Sequence, residues 1–521
     1  MTPLDLLLIG NESLTRECGE IARARGHRIA AVVTRHAGTA AWARDAGIAV
    51  HAPAALRDGS LVEALAGNAV DWVLSIANLN LVPDAVLGLA RKGAVNFHDG
   101  PLPAYAGLNA PAWARIAGET RHGITWHRIE GGIDEGRVLV QRDFAIEAED
   151  TALTLNAKAW EAGQGSFAEL LGLLETDAPG TAQDLSRRTL FERAKRPAAA
   201  GRLDFGRPAA ELVALVRGLD HGPYANPLLT PKIALDGRVI AVGAAEVAPG
   251  NNAEGKGAPG TILSREDQAI VVACADGAVR LDALVPADGR EDRPSLSPGR
   301  VLPSPAGAEA QALDDAVAGA AAREGFWRKR LIAMTAAVLD ATPHDGPATP
   351  QDSEVALPRP VSADEATALF AGALSRAADL DAHDLALLRH TPAPGYVSDW
   401  VPLHVDAGDA GLTLDGLAAQ VAQARQSLDG AGWLSDLPLR VPELAAMTRP
   451  VAAVAPAGVK GDGRGLVLHL PDGAADRLVL TFDAARLSTR TVAALGRLMA
   501  RLAGAGGTAL RAAELVTDGF G

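Results

Sequence analysis

The chain has 521 residues, which at about 150 per domain predicts three or four domains. A composition that is 48% hydrophobic and 21% charged is globular and argues against a mostly disordered chain. No apolar run approaches the roughly 18 residues of a membrane span, and the start, Met1-Thr-Pro-Leu-Asp5, lacks a basic leader. A formal net charge of −14 disfavours non-specific binding to nucleic acid or anionic membranes. Two cysteines, Cys18 and Cys274, make neither a disulfide framework nor a four-thiolate zinc site. The expectation is a cytoplasmic protein with no nucleic-acid or membrane partner.

The first 150 residues alternate strand and helix patterns. Residues 6–9 form an apolar run ended by Gly10-Asn11, and 13–24 have helical spacing with Leu14, Cys18, Ile21 and Ala22 on one face. A strand is predicted at 28–34, a helix at 39–46, a helix at 60–66 and a strand at 71–76. A helix at 83–91 and a strand at 93–98 follow. Such alternation implies βαβ units and a mostly parallel, Rossmann-like α/β sheet covered on both faces. Ligands of such sheets bind at the carboxyl ends of the strands. No Gly-x-Gly-x-x-Gly occurs after the first strand, so a nicotinamide cofactor is not suggested.

Residues 176–200 read as a polar connector carrying Arg187-Arg188 and Lys195-Arg196. A helix at 209–218 then precedes short β-like runs at 232–235, 239–244, 260–263, 270–274 and 279–284, the pattern of a small β-barrel. Residues 286–316, rich in Pro, Gly, Ser and Ala, read as a linker. The last third mixes Ala-rich helical stretches with strand patterns at 400–405, 466–470 and 478–482.

Chemistry concentrates where the strand at 93–98 ends. Alternation places Asn96 and His98 on one face, about 7 Å apart. A glycine-rich turn after a strand at 124–129, Gly131-Gly132-Ile133-Asp134-Glu135-Gly136, adds a carboxylate. An amide donating to a carbonyl oxygen, an imidazole stabilising the developing oxyanion and a carboxylate fixing the imidazole or taking up a proton suit acyl transfer to a nucleophile supplied by the substrate. No Gly-x-Ser-x-Gly or reactive-cysteine setting favours a covalent acyl-enzyme. Taken singly, His98 is equally a strand-end capping residue, Asn96 a loop cap and Asp134 a turn stabiliser.

At these residues the sequence resembles the folate-dependent formyltransferase family. Asn96-x-His98, followed 36 positions later by Asp134, matches that family's catalytic residues in type, order and spacing. Gly100-Pro-Leu-Pro103 stands where the family usually has Ser-Leu-Leu-Pro, so the step from His98 through Asp99 to Gly100 departs from its usual His-x-Ser. The stretch from Gly123 to Gly136 resembles the family's strand and folate loop, and Asp150-Thr151 resembles the Asp-Thr opening its next helix. The resemblance implies 10-formyltetrahydrofolate as donor and an amine as acceptor. It implies Asn96 on the formyl oxygen, His98 on the oxyanion, and Asp134 positioning His98 and assisting proton removal. The pterin is implied to lie against Leu79, Asn80, Leu81 and Val82 and against Glu130, Gly131, Gly132 and Ile133.

Beyond the catalytic part, Arg202-Leu-Asp-Phe205, Leu215-Val-Arg-Gly-Leu219 and Ala258-Pro-Gly-Thr-Ile262 resemble the C-terminal, OB-like barrel of methionyl-tRNA formyltransferases. Residues 201–300 carry a net charge of −2, unfavourable for a phosphate clamp. Gly325-Phe-Trp-Arg-Lys-Arg-Leu331 resembles the opening of the second lobe of nonribosomal peptide synthetase condensation domains. Trp400-Val-Pro-Leu403, Asp436-Leu-Pro-Leu439 and residues 478–502 resemble its later strands and final helix, yet no His-His-x-x-x-Asp-Gly occurs. Ala513-Glu-Leu-Val-Thr-Asp518 resembles a linker to a downstream adenylation domain. The expected organisation is a catalytic domain at 1–190, a barrel at 200–290, a linker at 291–316 and a partial α+β condensation lobe at 317–521. The expected acceptor is an aminoacyl group on a peptidyl carrier protein. A free small amine such as an amino sugar or hydroxyornithine, methionyl-tRNA, and an inactive docking platform are the alternatives.

Overall fold

The computed structural model describes residues 3–68, 70–249, 257–289, 294–337, 350–430, 432–461, 465–505, 507 and 509–510. The first unit runs β1 (Asp5–Ile9), α1 (Ser13–Ala24), β2 (Arg28–Val33), α2 (Ala37–Asp45), β3 (Ala49–His51), α3 (Ser60–Ala64), β4 (Val70–Ser75), α4 (Asp84–Leu87) and β5 (Ala90–His98). It continues with β6 (Ala106–Gly107), α5 (Ala110–Ile116), β7 (Arg121–Arg128), β8 (Val138–Ala145), α6 (Ala152–Glu175) and β9 (Leu190–Phe191). Seven strands form one sheet in the order β3-β2-β1-β4-β5-β7-β8. The pairs among the first five are parallel, and β5–β7 and β7–β8 are antiparallel.

Alternation along β1 explains its apolar run. Leu6 and Leu8 face one core with Val32, Trp72 and Leu74, while Leu7 and Ile9 face another with Val33 and Val73. Helix α6 buries Ala159, Phe167, Leu170, Leu171 and Leu174 against the first core. It starts at a capping box in which Thr151 accepts from Thr154 N and the Thr154 hydroxyl accepts from Thr151 N.

The barrel adds α7 (Ala209–Gly218), β10 (Lys232–Leu235), β11 (Arg238–Val247), β12 (Ile262–Glu266), β13 (Ala269–Cys274) and β14 (Gly277–Pro286), an antiparallel sheet of order β10-β11-β14-β13-β12. The last unit contains α8 (Gly307–Ala321), α9 (Glu324–Ile332), β15 (Pro350–Val361), α10 (Ala363–Ala378), β16 (Ala382–Leu388) and β17 (Trp400–Asp406). Then come α11 (Leu414–Ser427), α12 (Leu437–Arg440), β18 (Ala452–Ala455), β19 (Leu466–His469), β20 (Ala475–Asp483) and α13 (Thr489–Gly504). Its six strands are ordered β15-β20-β19-β18-β16-β17, parallel only at β16–β18 and β18–β19. Trp327 and Leu331 of α9 join Phe370, Phe482, Leu495 and Met499 in its core.

Several expectations are corrected. The helix expected at 83–91 stops at Leu87, and Arg91 lies inside β5. Strands β3, β6 and β8 and helix α5 carry no pattern strong enough to have been anticipated. The linker at 291–316 is, where described, packed chain: Leu296 and Leu302 enter the barrel core, Leu302 N donates to Gly260 O, and α8 begins at Gly307. The stretch Asp436-Leu-Pro-Leu439 is the helical turn α12 rather than a strand, with Asp436 as its N-cap and Pro438 in its first turn. The segment resembling an adenylation-domain linker lies outside the described residues.

The last unit is locked to the rest. Asp436 meets Lys232 of β10 at 2.7 Å and Arg440 at 2.9 Å, and Arg440 meets Glu324 of α9 at 2.7 Å. Glu324 in turn meets Arg196 of the connector at 3.3 Å. An apolar cluster spans the same junction, with Leu229 and Val239 packed against Leu313, Val317, Tyr396 and Leu434.

Candidate active site

Strand β5 ends at the site because its last apolar residue, Phe97, packs inward against Trp126 at 5.0 Å between ring centroids. Its neighbours Asn96 and His98 are turned to the opposite face. The antiparallel register pairs Asn96 with His127 and His98 with Thr125 of β7. Thr125 fixes the chain leaving β5: its hydroxyl donates to Gly100 O at 2.8 Å and accepts from Leu102 N at 3.1 Å. Gln141 of β8 donates to both Thr125 Oγ1 and Leu102 O at 2.9 Å.

His98 is 4% exposed, and its Nε2 lies 2.8 Å from Tyr105 O. A carbonyl oxygen only accepts, so Nε2 carries a proton, and Nδ1 turns toward Asp134 Oδ2 at 3.7 Å and Asp99 Oδ1 at 3.9 Å. Asp134 sits in the β7–β8 turn at φ +56°, a left-handed conformation an aspartate tolerates better than most residues. Its Oδ2 accepts from Gly107 N at 2.8 Å, and its Oδ1 is 3.4 Å from His127 Nε2. Burial acts to raise its pKa. The hydrogen bonds from His127 and Gly107 and the charge of His98 outweigh burial and bring it down to about 2. Asp134 is therefore ionised throughout the physiological range.

The structure brings together Asn96, His98 and Asp134, and adds His127. The His127 Nδ1 proton goes to Arg128 O at 2.9 Å, which aims Nε2 at Asn96 Nδ2, 3.2 Å away, and at Asp134. His127 lies within the motif that carries the family resemblance, yet sequence reasoning passed over it. A histidine interrupting the apolar strand of 124–129, two residues after a threonine, was the available signal. Gly107 was also missed: at φ +98°, any Cβ there would stand 2.2 Å from Phe191 O.

The residues expected at the pterin are distributed less evenly. Leu79 and Leu81 are 59% and 76% exposed and Ile133 is 47% exposed, large apolar side chains left open to solvent. Asn80 is exposed and its backbone bonds with the Asn78 side chain, and Gly131 and Gly132 are exposed. Glu130 points elsewhere, accepting from Arg137 N at 3.1 Å. Val82 packs on the sheet's second core. Arg193 holds Leu79 O at 2.7 Å and Arg188 holds Ile133 O at 2.9 Å, so one connector segment ties both loops.

A cavity of about 300 Å³ between the catalytic unit and the barrel is lined by Glu149, Asp220, Glu246 and Asp282 against Arg217 and Arg280. Both arginines are already paired, Arg217 with Glu149 at 2.6 Å and Arg280 with Asp282 at 2.9 Å.

A mostly parallel α/β sheet thus brings Asn96, His98 and Asp134 together beside the end of β5. Residues 7–171 match the formyl transferase family, and residues 197–294 match the formyl transferase C-terminal domain. The chain is 32% identical over 266 residues to methionyl-tRNA formyltransferase of Ectopseudomonas mendocina, covering 49% of this chain and 81% of that protein. It is 33% identical over 264 residues to that of Anaeromyxobacter sp., covering 50% and 81%. Among solved structures, HypX from Aquifex aeolicus in complex with tetrahydrofolic acid is 20% identical with a TM-score of 0.39, covering 55% of this chain and 46% of that one. The sugar 3N-formyl transferase WlaRD is 15% identical with a TM-score of 0.41, covering 54% and 98%. The chain belongs to the formyl transferase family and is a formyltransferase.

Proposed function

We propose that the chain transfers a formyl group from 10-formyltetrahydrofolate to the amine of an aminoacyl group tethered to a peptidyl carrier protein, in the cytoplasm. The convergence of Asn96, His98, His127 and Asp134 at one strand end carries the chemical part of this reading. The donor fits the residues present: the solvent-exposed Leu79, Leu81 and Ile133 offer apolar surface for a flat heterocycle beside the catalytic cleft. When bound, it supplies an activated formyl carbon whose bond to N10 breaks as the bond to the acceptor nitrogen forms, with the amine's proton replacing the formyl group on N10.

Asn96 donates to the formyl oxygen from the rim of the sheet, and His98, its Nε2–H held by Tyr105 O, offers an Nδ1–H and its positive charge where negative charge develops. His127 holds Asn96 and Asp134 in register. With its pKa near 2, Asp134 is a weak base at neutral pH. Its main role is to hold a negative charge that orients His98 and attracts an ammonium acceptor, which loses one proton to solvent before its nitrogen lone pair attacks and a second, to N10, as the formyl group is transferred.

For the acceptor, the acidic cavity with both arginines already engaged gives a polyanion no free cations among the described residues that line it. The C-terminal unit, read as a partial condensation lobe, supports an assembly-line carrier and a downstream adenylation domain as neighbours. The second reading is methionyl-tRNA, favoured by the 32% identity across 81% of a methionyl-tRNA formyltransferase. The full chain, incubated with 10-formyltetrahydrofolate and either an aminoacyl carrier protein, methionyl-tRNA or free amines, decides by formyl mass gain. Transfer to the carrier alone supports the reading; transfer to tRNA or to free amines without carrier modification overturns it.

A further inference from the structure

We propose that Gln183, in the connector after α6, is a positioning residue for formyl transfer that acts through Asp134. This inference rests on the reading of Asp134 as part of the catalytic set. The Gln183 side-chain amide donates one proton to Asp134 O at 2.8 Å and the other to Gly136 O at 2.6 Å. Both carbonyls belong to the turn that holds Asp134 in its left-handed conformation. Asp134 is thus clamped at both ends, its carbonyl by Gln183 and its carboxylate by Gly107 N–H at 2.8 Å.

The second clamp depends on the same connector. Gly107 lies in β6, which pairs in parallel with β9, and Leu108 N donates to Phe191 O at 2.9 Å. Connector residue Thr189 also accepts from Tyr105 N at 2.8 Å, next to the carbonyl that holds His98. A segment that sequence composition marks as a tether therefore sets the backbone positions of the two groups that face each other across the site. Only a side chain with two N–H donors on one nitrogen serves both turn carbonyls at once, which selects glutamine over glutamate.

The test compares Gln183→Ala, Gln183→Glu and Asp134→Ala in the full chain, each checked for unchanged melting temperature. Gln183→Ala is expected to lower kcat on the order of 10- to 100-fold with KM for the folate donor and the amine nearly unchanged, the signature of misplaced catalytic groups. Gln183→Glu is expected to be equally slow at neutral pH, where its carboxylate repels the two carbonyls. Its rate relative to Gln183→Ala should rise in part as pH falls into the ordinary carboxylate range, because a protonated carboxyl again donates to one of the two carbonyls. A glutamine that merely fills space gives no such pH-dependent ratio. Wild-type kcat in Gln183→Ala, a loss wholly in KM, or a pH-flat ratio overturns the inference if Asp134→Ala is inactive. Wild-type turnover in Asp134→Ala instead overturns the site reading itself.

Discussion

Asp134, in the turn of the N-terminal sheet, and Asp436, beside the C-terminal sheet, are carboxylates, one partly and one fully buried, each facing two basic side chains. Asp436 is saturated: Lys232 at 2.7 Å, Arg440 at 2.9 Å and Thr230 N at 2.8 Å, with 1% exposure. Burial opposes its ionisation, but Arg440 and Lys232 overcome it and hold its pKa far below the ordinary carboxylate range. Asp134 has one close donor, Gly107 N, while its histidines stand at 3.4 and 3.7 Å. Burial and charge pairing alone thus do not distinguish a site from a structural lock. The difference lies in unspent hydrogen-bonding capacity, which Asp134 retains and Asp436 does not.

Removing the saturated carboxylate should give the largest effect. Asp436→Ala leaves Lys232 buried without its anion and Arg440 with Glu324 alone, and we expect a stability loss of about 3–5 kcal/mol in urea denaturation. The formylation rate per folded molecule should be retained. A loss of stability within the ±0.5 kcal/mol typical of surface substitutions would erase the contrast with Asp134.

His383 sharpens the contrast from the C-terminal side. It is fully buried in β16, bonds Ser375 Oγ at 3.2 Å, and its Nε2 has no partner. Burial pushes its pKa down to about 4, opposed by neighbouring Asp384 and reinforced by His404. Between pH 6.5 and 4 the unfolded chain therefore binds the proton and the folded chain does not, so stability is lost as pH is lowered through that window, by about 3 kcal/mol. Denaturation of His383→Gln at pH 7 and pH 4.5 should show a smaller pH dependence than wild type. Equal dependence would remove His383 as the cause.

His98→Ala is the corresponding test at the site. We expect a fall in kcat on the order of 100-fold, about 2.7 kcal/mol of transition-state stabilisation, with little change in melting temperature. A variant that turned over normally would place the oxyanion elsewhere.

How much of this was legible in the sequence follows the same division. β1, α1 and α7 announce themselves by apolar periodicity, and Asn96, His98 and Asp134 by type and spacing. The clamps did not. Gln183 and Thr189 act through backbone carbonyls and amides brought together by the β6–β9 pairing, which is only two residues long on each strand. His127 hides in an apolar strand because its role exists only across the register with Asn96. The junction built on Lys232, Asp436, Arg440 and Glu324 joins residues more than 100 positions apart, which no local pattern encodes.

The smallest effect tests Asp134 itself. Its folded pKa of about 2, against an ordinary 3.8, means that its contribution to stability is fully present above pH 3.8 and is lost as pH falls through 2. At neutral pH that contribution is about 2 kcal/mol, since the side chain is only 12% exposed and little screened. Carboxyl-carbon NMR titration reads the value directly. A midpoint near 2 shows a carboxylate whose histidine neighbours and Gly107 N–H outweigh its burial, and it excludes Asp134 as the origin of any acid limb in kcat/KM above pH 4. A midpoint at 3.8 or above would mean that burial offsets or outweighs those partners, and it would remove the Asp134 contribution to stability.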